Sequence, residues 1–269
     1  MKNLKKISIV TFSIAMMAGT SCKKSKVPQP VPVQPIKEEK PVDPEVPKVF
    51  IPVKITSGNT TLELKYVEKT GLIRELKSSE GATFSMSYDK GQLVKLERIQ
   101  NGSNPFFVQY LIKDAKIYRA TQFSSQGNNS VPADKYYFEY DASGQIINIK
   151  RHGVDNKLSA EYNFSYNAKG TLEETTIIKN NEITTYSSTN DTQNGIFKHV
   201  KFIQIVAIEI GLPVLIAGPH NPLSYTCPTK PATNKNYSYT YNELSYPSQQ
   251  QISTNGVSQT FNITYAELK

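Results

Sequence analysis

One short pattern recurs through the chain and restricts its fold more than any other feature. An aromatic residue, a spacer and Tyr are followed by Asp or Asn, then a nearby Gly, then Gln or Thr and an aliphatic residue. Three copies are clear, at Phe84–Leu93, Phe138–Ile146 and Phe164–Leu172. Fainter ones surround Tyr66, Tyr110 and Tyr241, and Phe261–Tyr265 keeps the alternation without the turn. Tyr66, Tyr88 and Tyr110 are spaced by 22 residues, and Tyr140 and Tyr166 by 26. Side chains on a strand alternate between faces, so aromatic-x-Tyr puts two rings on one side. Asp or Asn starts a turn by accepting from nearby backbone N–H groups, and Gly supplies a positive φ. A unit of this length is one hairpin.

Successive hairpins predict a mainly β fold, an antiparallel meander with aromatic and aliphatic residues on one face and Ser, Thr, Lys and Glu on the other. The 16 Tyr and 11 Phe, against no Trp, fit such aromatic rungs. About six copies are too few to enclose much, so the expected form is a curved open sheet. Its last strand, Phe261–Tyr265, is then a free edge able to pair with another chain.

One stretch breaks the pattern. Residues 197–218, FKHVKFIQIVAIEIGLPVLIAG, are the most apolar run after the leader. Residues 196–212 are expected to form a helix or irregular plug packed on the sheet's apolar face, ending near Pro213. The dense β-branched residues leave two buried strands as the alternative. Glu209 and Pro213 argue against a membrane span. Residues 218–233 read as a Pro-rich loop, so the insertion runs over about 196–233.

The amino terminus is an address. Lys2, Lys5 and Lys6 precede an uncharged, largely apolar stretch at 7–19, too short to cross a bilayer as a helix. Ala18-Gly19-Thr20-Ser21-Cys22 follows. This run resembles the lipobox of bacterial lipoproteins, although Gly19 stands where a large aliphatic residue is usual. The resemblance implies a signal peptide at 1–21, cleavage before Cys22 and acyl chains on its sulfur, a lasting membrane anchor. Residues 27–47 hold seven of the 16 prolines, so 22–48 reads as an extended tether and 49–269 as the repeat domain. Loss of three leader lysines lowers the formal charge from +8 to +5, and Lys23, Lys24 and Lys26 lie beside the anchor, where lipid phosphates attract them. No basic stripe recurs, and nucleic acid is not an expected partner.

The Tyr–Asp units resemble the tyrosine–aspartate repeats of bacterial surface and toxin-shell proteins. Lipobox, tether and repeats together resemble small Bacteroidota lipoproteins of unknown function. That resemblance implies an outer-membrane, lipid-anchored location.

Catalytic signals are sparse. His152, His199 and His220 show no metal-ligand spacing, phosphate-cradling Gly loops are absent, and no cofactor or metal is expected. Glu173 and Glu174, as neighbours on a strand, should point to opposite faces. Asp89, Asp141 and Asn167 read as turn formers. Cys227, in an apparently exposed loop seven residues after His220, permits a nucleophile–base pair and hence an envelope hydrolase. In the doublets Tyr136-Tyr137 and Phe106-Phe107 one ring must face outward, with Tyr136, Phe106 or their partners as candidates. The reading is a non-catalytic, lipid-anchored envelope protein binding an envelope protein or a glycan, with glycan capture and the Cys227/His220 hydrolase as alternatives.

Overall fold

In a computed structural model the described residues are 48–100, 106–126, 129–210 and 218–269. The leader, Cys22 and the tether up to residue 47 lie outside them. The chain forms β1 (Phe50–Ser57), β2 (Thr60–Tyr66), β3 (Ile73–Ser78), β4 (Ala82–Asp89), β5 (Gln92–Gln100), β6 (Phe106–Lys113), β7 (Lys116–Gln126) and β8 (Asn129–Tyr140). It continues with β9 (Ile146–His152), β10 (Leu158–Tyr166), β11 (Leu172–Lys179) and β12 (Glu182–Asn190). A helix, α1 (Ile203–Ile210), precedes β13 (Pro222–Thr226), β14 (Lys235–Tyr241), β15 (Pro247–Thr254) and β16 (Val257–Glu267).

Every strand pairs antiparallel with its sequence neighbours, and β16 returns to pair with β1, from Phe50↔Glu267 to Thr56↔Asn262. The sheet is therefore a closed 16-stranded barrel, not the open curved sheet expected from the repeat. Phe261–Tyr265 is a paired wall strand and offers no free edge. Strands such as β1, β6 and β13 complete the count without carrying the full Tyr–Gly pattern.

The repeat has a second role besides turning. At each junction where an even strand meets the next odd one, β16 with β1 included, the register slips by one residue. The extra residues are Val53, Arg74, Val94, Tyr118, Ile147, Glu173, Leu223 and Ser248. These bulges line one rim, bending the strands and sharpening the twist that closure needs. A bulge also strands a carbonyl, and the repeat tyrosine donates to it. Tyr66 Oη reaches Pro52 O (2.7 Å), Tyr88 Oη reaches Ile73 O (2.7 Å), Tyr140 Oη reaches Ile117 O and Tyr166 Oη reaches Ile146 O (both 2.8 Å). Each acceptor immediately precedes an extra residue. Asn190 takes the tyrosine's place on β12, and its Nδ2 donates to Leu172 O at 2.9 Å. Burial raises the Tyr140 and Tyr166 phenols to about 12, so they remain neutral donors.

The turns follow the expected chemistry. Asp141 Oδ1 accepts from Gln145 N (2.9 Å), and Asn167 Oδ1 from Lys169 N (2.9 Å) and Thr171 N (3.1 Å). Asp89 differs: it ends β4, and Lys90 and Gly91 form a two-residue turn with φ of 46° and 78°. Glu173 is the extra residue of its bulge, which breaks the alternation and leaves both Glu173 and Glu174 exposed.

Inward side chains are apolar: Leu64, Ile73, Leu76, Leu96, Val108, Ile149 and their neighbours form the core. Outward ones are polar, as in Ser238, Thr240, Gln249, Gln251, Asn262 and Thr264, or charged, as in the pairs Lys65–Glu75 (2.7 Å) and Lys150–Glu139 (3.2 Å). Exposed apolar residues such as Ile99 on β5, Leu111 on β6 and Ile183 on β12 are interspersed with polar and charged ones along their strands. A membrane barrel needs an outward apolar band about 25 Å tall. This wall has the opposite polarity.

Candidate functional site

A wall of 16 strands leaves a lumen that side chains alone fill poorly. Residues 191–210, which follow β12 at the bulged rim, enter that lumen, and residues 218–221 lead into β13 at the same rim. Asn194 N donates to Ser245 O (3.1 Å) and Lys201 N to Gly71 O (2.8 Å), seating the segment on two turns of the rim. A Cβ on Gly71 would stand 2.1 Å from His199 O, so only Gly admits the segment there. A Cβ on Gly195 would likewise stand 2.4 Å from Gly218 O. Ile196, Phe197, Val200, Ile203, Ile205, Val206 and Ala207 are buried among the wall's inner residues. Within the expected plug at 196–212 the regular helix is confined to Ile203–Ile210 with turns before it, residues 211–212 lie outside the described residues, and the segment packs inside a closed barrel rather than on an open sheet. The expected Pro-rich loop at 218–233 contains a wall strand, β13.

Asn221 anchors the plug's return. It is 1% exposed, its Nδ2 donates to Asp191 Oδ2 (3.2 Å) and Asn194 O (2.9 Å), and its Oδ1 accepts from Ile196 N (3.2 Å). Asp191 also accepts from Tyr241 Oη. The helix carries its one acid, Glu209, towards Tyr110, Tyr136 and Arg151. Burial lifts the Glu209 carboxyl to about 7, against a smaller opposing pull from Arg151. Arg151 itself binds Asp134 through Nε at 3.0 Å. Tyr110 Oη is buried without a hydrogen-bond partner. The reason lies in register: Tyr110 faces Ala120 in regular pairing, while Ile112, opposite Ile117, holds the place that Tyr88 holds on β4. The 22-residue spacing of Tyr110 is therefore coincidental.

Two hollows flank the plug. One, of about 290 Å³, lies at the bulged rim between Val200–Ile205 and the wall at Ile117, Tyr140 and Ile146. The other, of about 220 Å³, lies between Phe197 and the inner faces of β1, β2, β15 and β16. Ile55, Leu62, Ile252, Phe261 and Ile263 form its wall, and Ser57, Thr60 and Ser78 stand at its end on the opposite rim.

The predicted site residues fall apart. His220 sits at the bulged rim, its Nδ1 2.9 Å from Gln193 O. Cys227 lies beyond the other end of β13, whose five extended residues separate the two by roughly 17 Å. It is fully buried rather than exposed, with Sγ 3.2 Å from Thr229 Oγ1, a contact that lowers its pKa. The structure does not bring the proposed nucleophile and base together. His152 bonds Asn156 O through Nδ1 (2.9 Å), and His199 lies by Tyr246. Among the described residues no cluster of three or more metal-binding side chains occurs. In each aromatic doublet the second ring faces out: Tyr136 is buried and Tyr137 exposed, while Phe107 stacks on Phe123 outside at 4.8 Å. Lys95 covers Phe107 at 4.8 Å, so this pair presents little free ring face.

No family model matches the chain, and no curated protein matches it. Among solved structures it is similar to a porin-like protein from Bacteroides uniformis ATCC 8492, at 12% identity and a TM-score of 0.54. The match covers 81% of this chain and 96% of that one. At that identity the likeness concerns the fold. S. aureus TarM in complex with fondaparinux, alpha-GlcNAc-glycerol and UDP overlaps at a TM-score of 0.18 (16% identity, 40% of this chain and 20% of that one). TcdB2-TccC3-TEV overlaps at 0.20 (13% identity, 77% of this chain and 10% of that one). Both are too loose to bear on the fold.

Proposed function

We propose that this chain is a non-catalytic envelope protein held to the outer membrane by acyl chains on Cys22, with its barrel standing in water as a binding or structural module for an envelope protein or a glycan. The observation that carries this reading is the polarity of the barrel: polar outside, apolar inside, and occupied by its own segment 191–210. Such a wall lacks the apolar band that would seat it in a bilayer, and its lumen lacks the polar lining of a water-filled pore. Attachment must come from another part of the chain, and the lipobox-like run ending at Cys22 supplies it. Residues 22–48 then act as a spacer.

Labelling cells with an alkynyl palmitate tests the reading. The wild-type chain should take up label and sediment with membranes, and Cys22→Ala should lose both properties. A wild-type chain without label, or a Cys22→Ala chain still integral to the membrane, contradicts it.

A further inference from the structure

We propose that the hollow bounded by β1, β2, β15, β16 and Phe197 is a binding site for a single neutral alkyl chain, entered from the rim opposite the bulges. The proposal goes beyond the anchored-module reading by adding a small apolar ligand to the barrel. At Val206 and Ala207, which have no exposure, the segment is closely packed. Beside Phe197 the packing stops, and about 220 Å³ remains open. Ile55, Leu62, Ile252, Phe261 and Ile263 surround this space, and among the described residues no charged side chain lines it.

Water is a poor occupant, because it needs two to four polar partners. The few polar groups here are engaged elsewhere. Gln250 Nε2 donates to Tyr239 Oη (3.1 Å), Ser57 Oγ accepts from Gln259 Nε2 (3.1 Å), and Thr60 Oγ1 donates to Glu80 Oε1 (2.9 Å). An empty hollow forfeits the dispersion contacts of its lining, which an aliphatic chain restores. The hydroxyls of Ser57, Thr60 and Ser78 mark the mouth, where a head group remains in water. The Glu80 carboxylate beside Thr60 disfavours an anionic head, so an alcohol or ester suits the mouth better than a carboxylate. The narrow volume admits one chain.

The experiment uses the chain from Lys23 onward, which keeps the whole barrel and lacks the acylation site. A fluorescent single-chain alkyl probe is titrated in and then displaced with dodecanol or dodecanoate. Saturable binding at one site per barrel is expected, with dodecanol displacing the probe at least as well as dodecanoate. Ile252→Trp, which fills the hollow, should weaken binding at least tenfold while leaving the thermal midpoint within a few degrees. Thr264→Trp, on the outer face of the same wall, should leave binding unchanged. Absence of saturable binding, an Ile252→Trp variant that is folded and binds like wild type, or displacement by dodecanoate alone each overturns the proposal. None of these outcomes touches the palmitate-labelling result, so failure of the ligand class and failure of the anchored reading are distinguishable.

Discussion

Tyr140 and Val206 both face the inside of the barrel, yet they are held there by different means. The wall around Tyr140 is made of units that each carry a bulge, and in most units a side chain pins the freed carbonyl. The plug around Val206 occurs once, has no repeat, and is held by apolar burial and a few rim contacts. A fault in the wall is thus shared among near-identical joints. A fault in the plug empties the lumen that all 16 strands depend on.

The largest effect that would break this contrast is expected at Val206. Val206→Asp places a carboxylate at a site with no exposure, and should cost more than about 4 kcal/mol, enough to abolish a cooperative thermal transition. A variant that still melts cooperatively near the wild-type midpoint would mean the plug is dispensable.

Glu209 comes next, with a pH signature. Its carboxyl titrates near 7 in the fold against an ordinary 4.5. Between those values the unfolded chain loses the proton while the folded chain keeps it, so stability falls as pH rises from 4.5 to 7 and then levels. Glu209→Gln should be stabilised relative to wild type by up to about 3 kcal/mol at pH 8 and by nothing at pH 4. Arg151, Asp134, Tyr110 and Tyr136 face this group, so chemical denaturation of both proteins across the pH range isolates its share. A pH-independent difference would contradict the enclosed position of the carboxyl.

The wall predicts a smaller effect that depends on position. Tyr140→Phe removes the donor to Ile117 O and should cost about 1–3 kcal/mol. Tyr265→Phe, at the corresponding place on β16, removes a hydroxyl that has no partner and should be neutral or slightly stabilising. Equal losses would show that the hydroxyls do not pin the bulges. The outer ion pair Lys65–Glu75 should matter least, with Glu75→Gln shifting stability by less than about 1 kcal/mol.

The same contrast explains what the residues disclosed in advance. Strands and turns were legible because period-two alternation and Asx turns are local chemistry, as at Asp141 and Asn167. Closure was not, because it depends on counting every strand. β6, with Ile112 in place of Tyr, and β12, with Asn190 there, complete the circle without the pattern. The 22-residue spacing even placed Tyr110 in the wrong register. The apolar run at 197–210 announced a buried element, but whether it lay on a sheet or inside a barrel followed from closure. The hollow beside Phe197 had no local signal at all, since Ile55 and Ile263 come from opposite ends of the chain and meet only when β1 pairs with β16. Cys227 and His220 show the converse: they are close in sequence, and an extended strand holds them apart.

The central claim is that this barrel is apolar within and wetted without. Detergent phase partition of the chain beginning at Lys23, followed by far-ultraviolet circular dichroism, tests it most directly. The account predicts a folded β protein recovered in the aqueous phase with no detergent required. Recovery in the detergent phase, or loss of the β spectrum when detergent is removed, would contradict it.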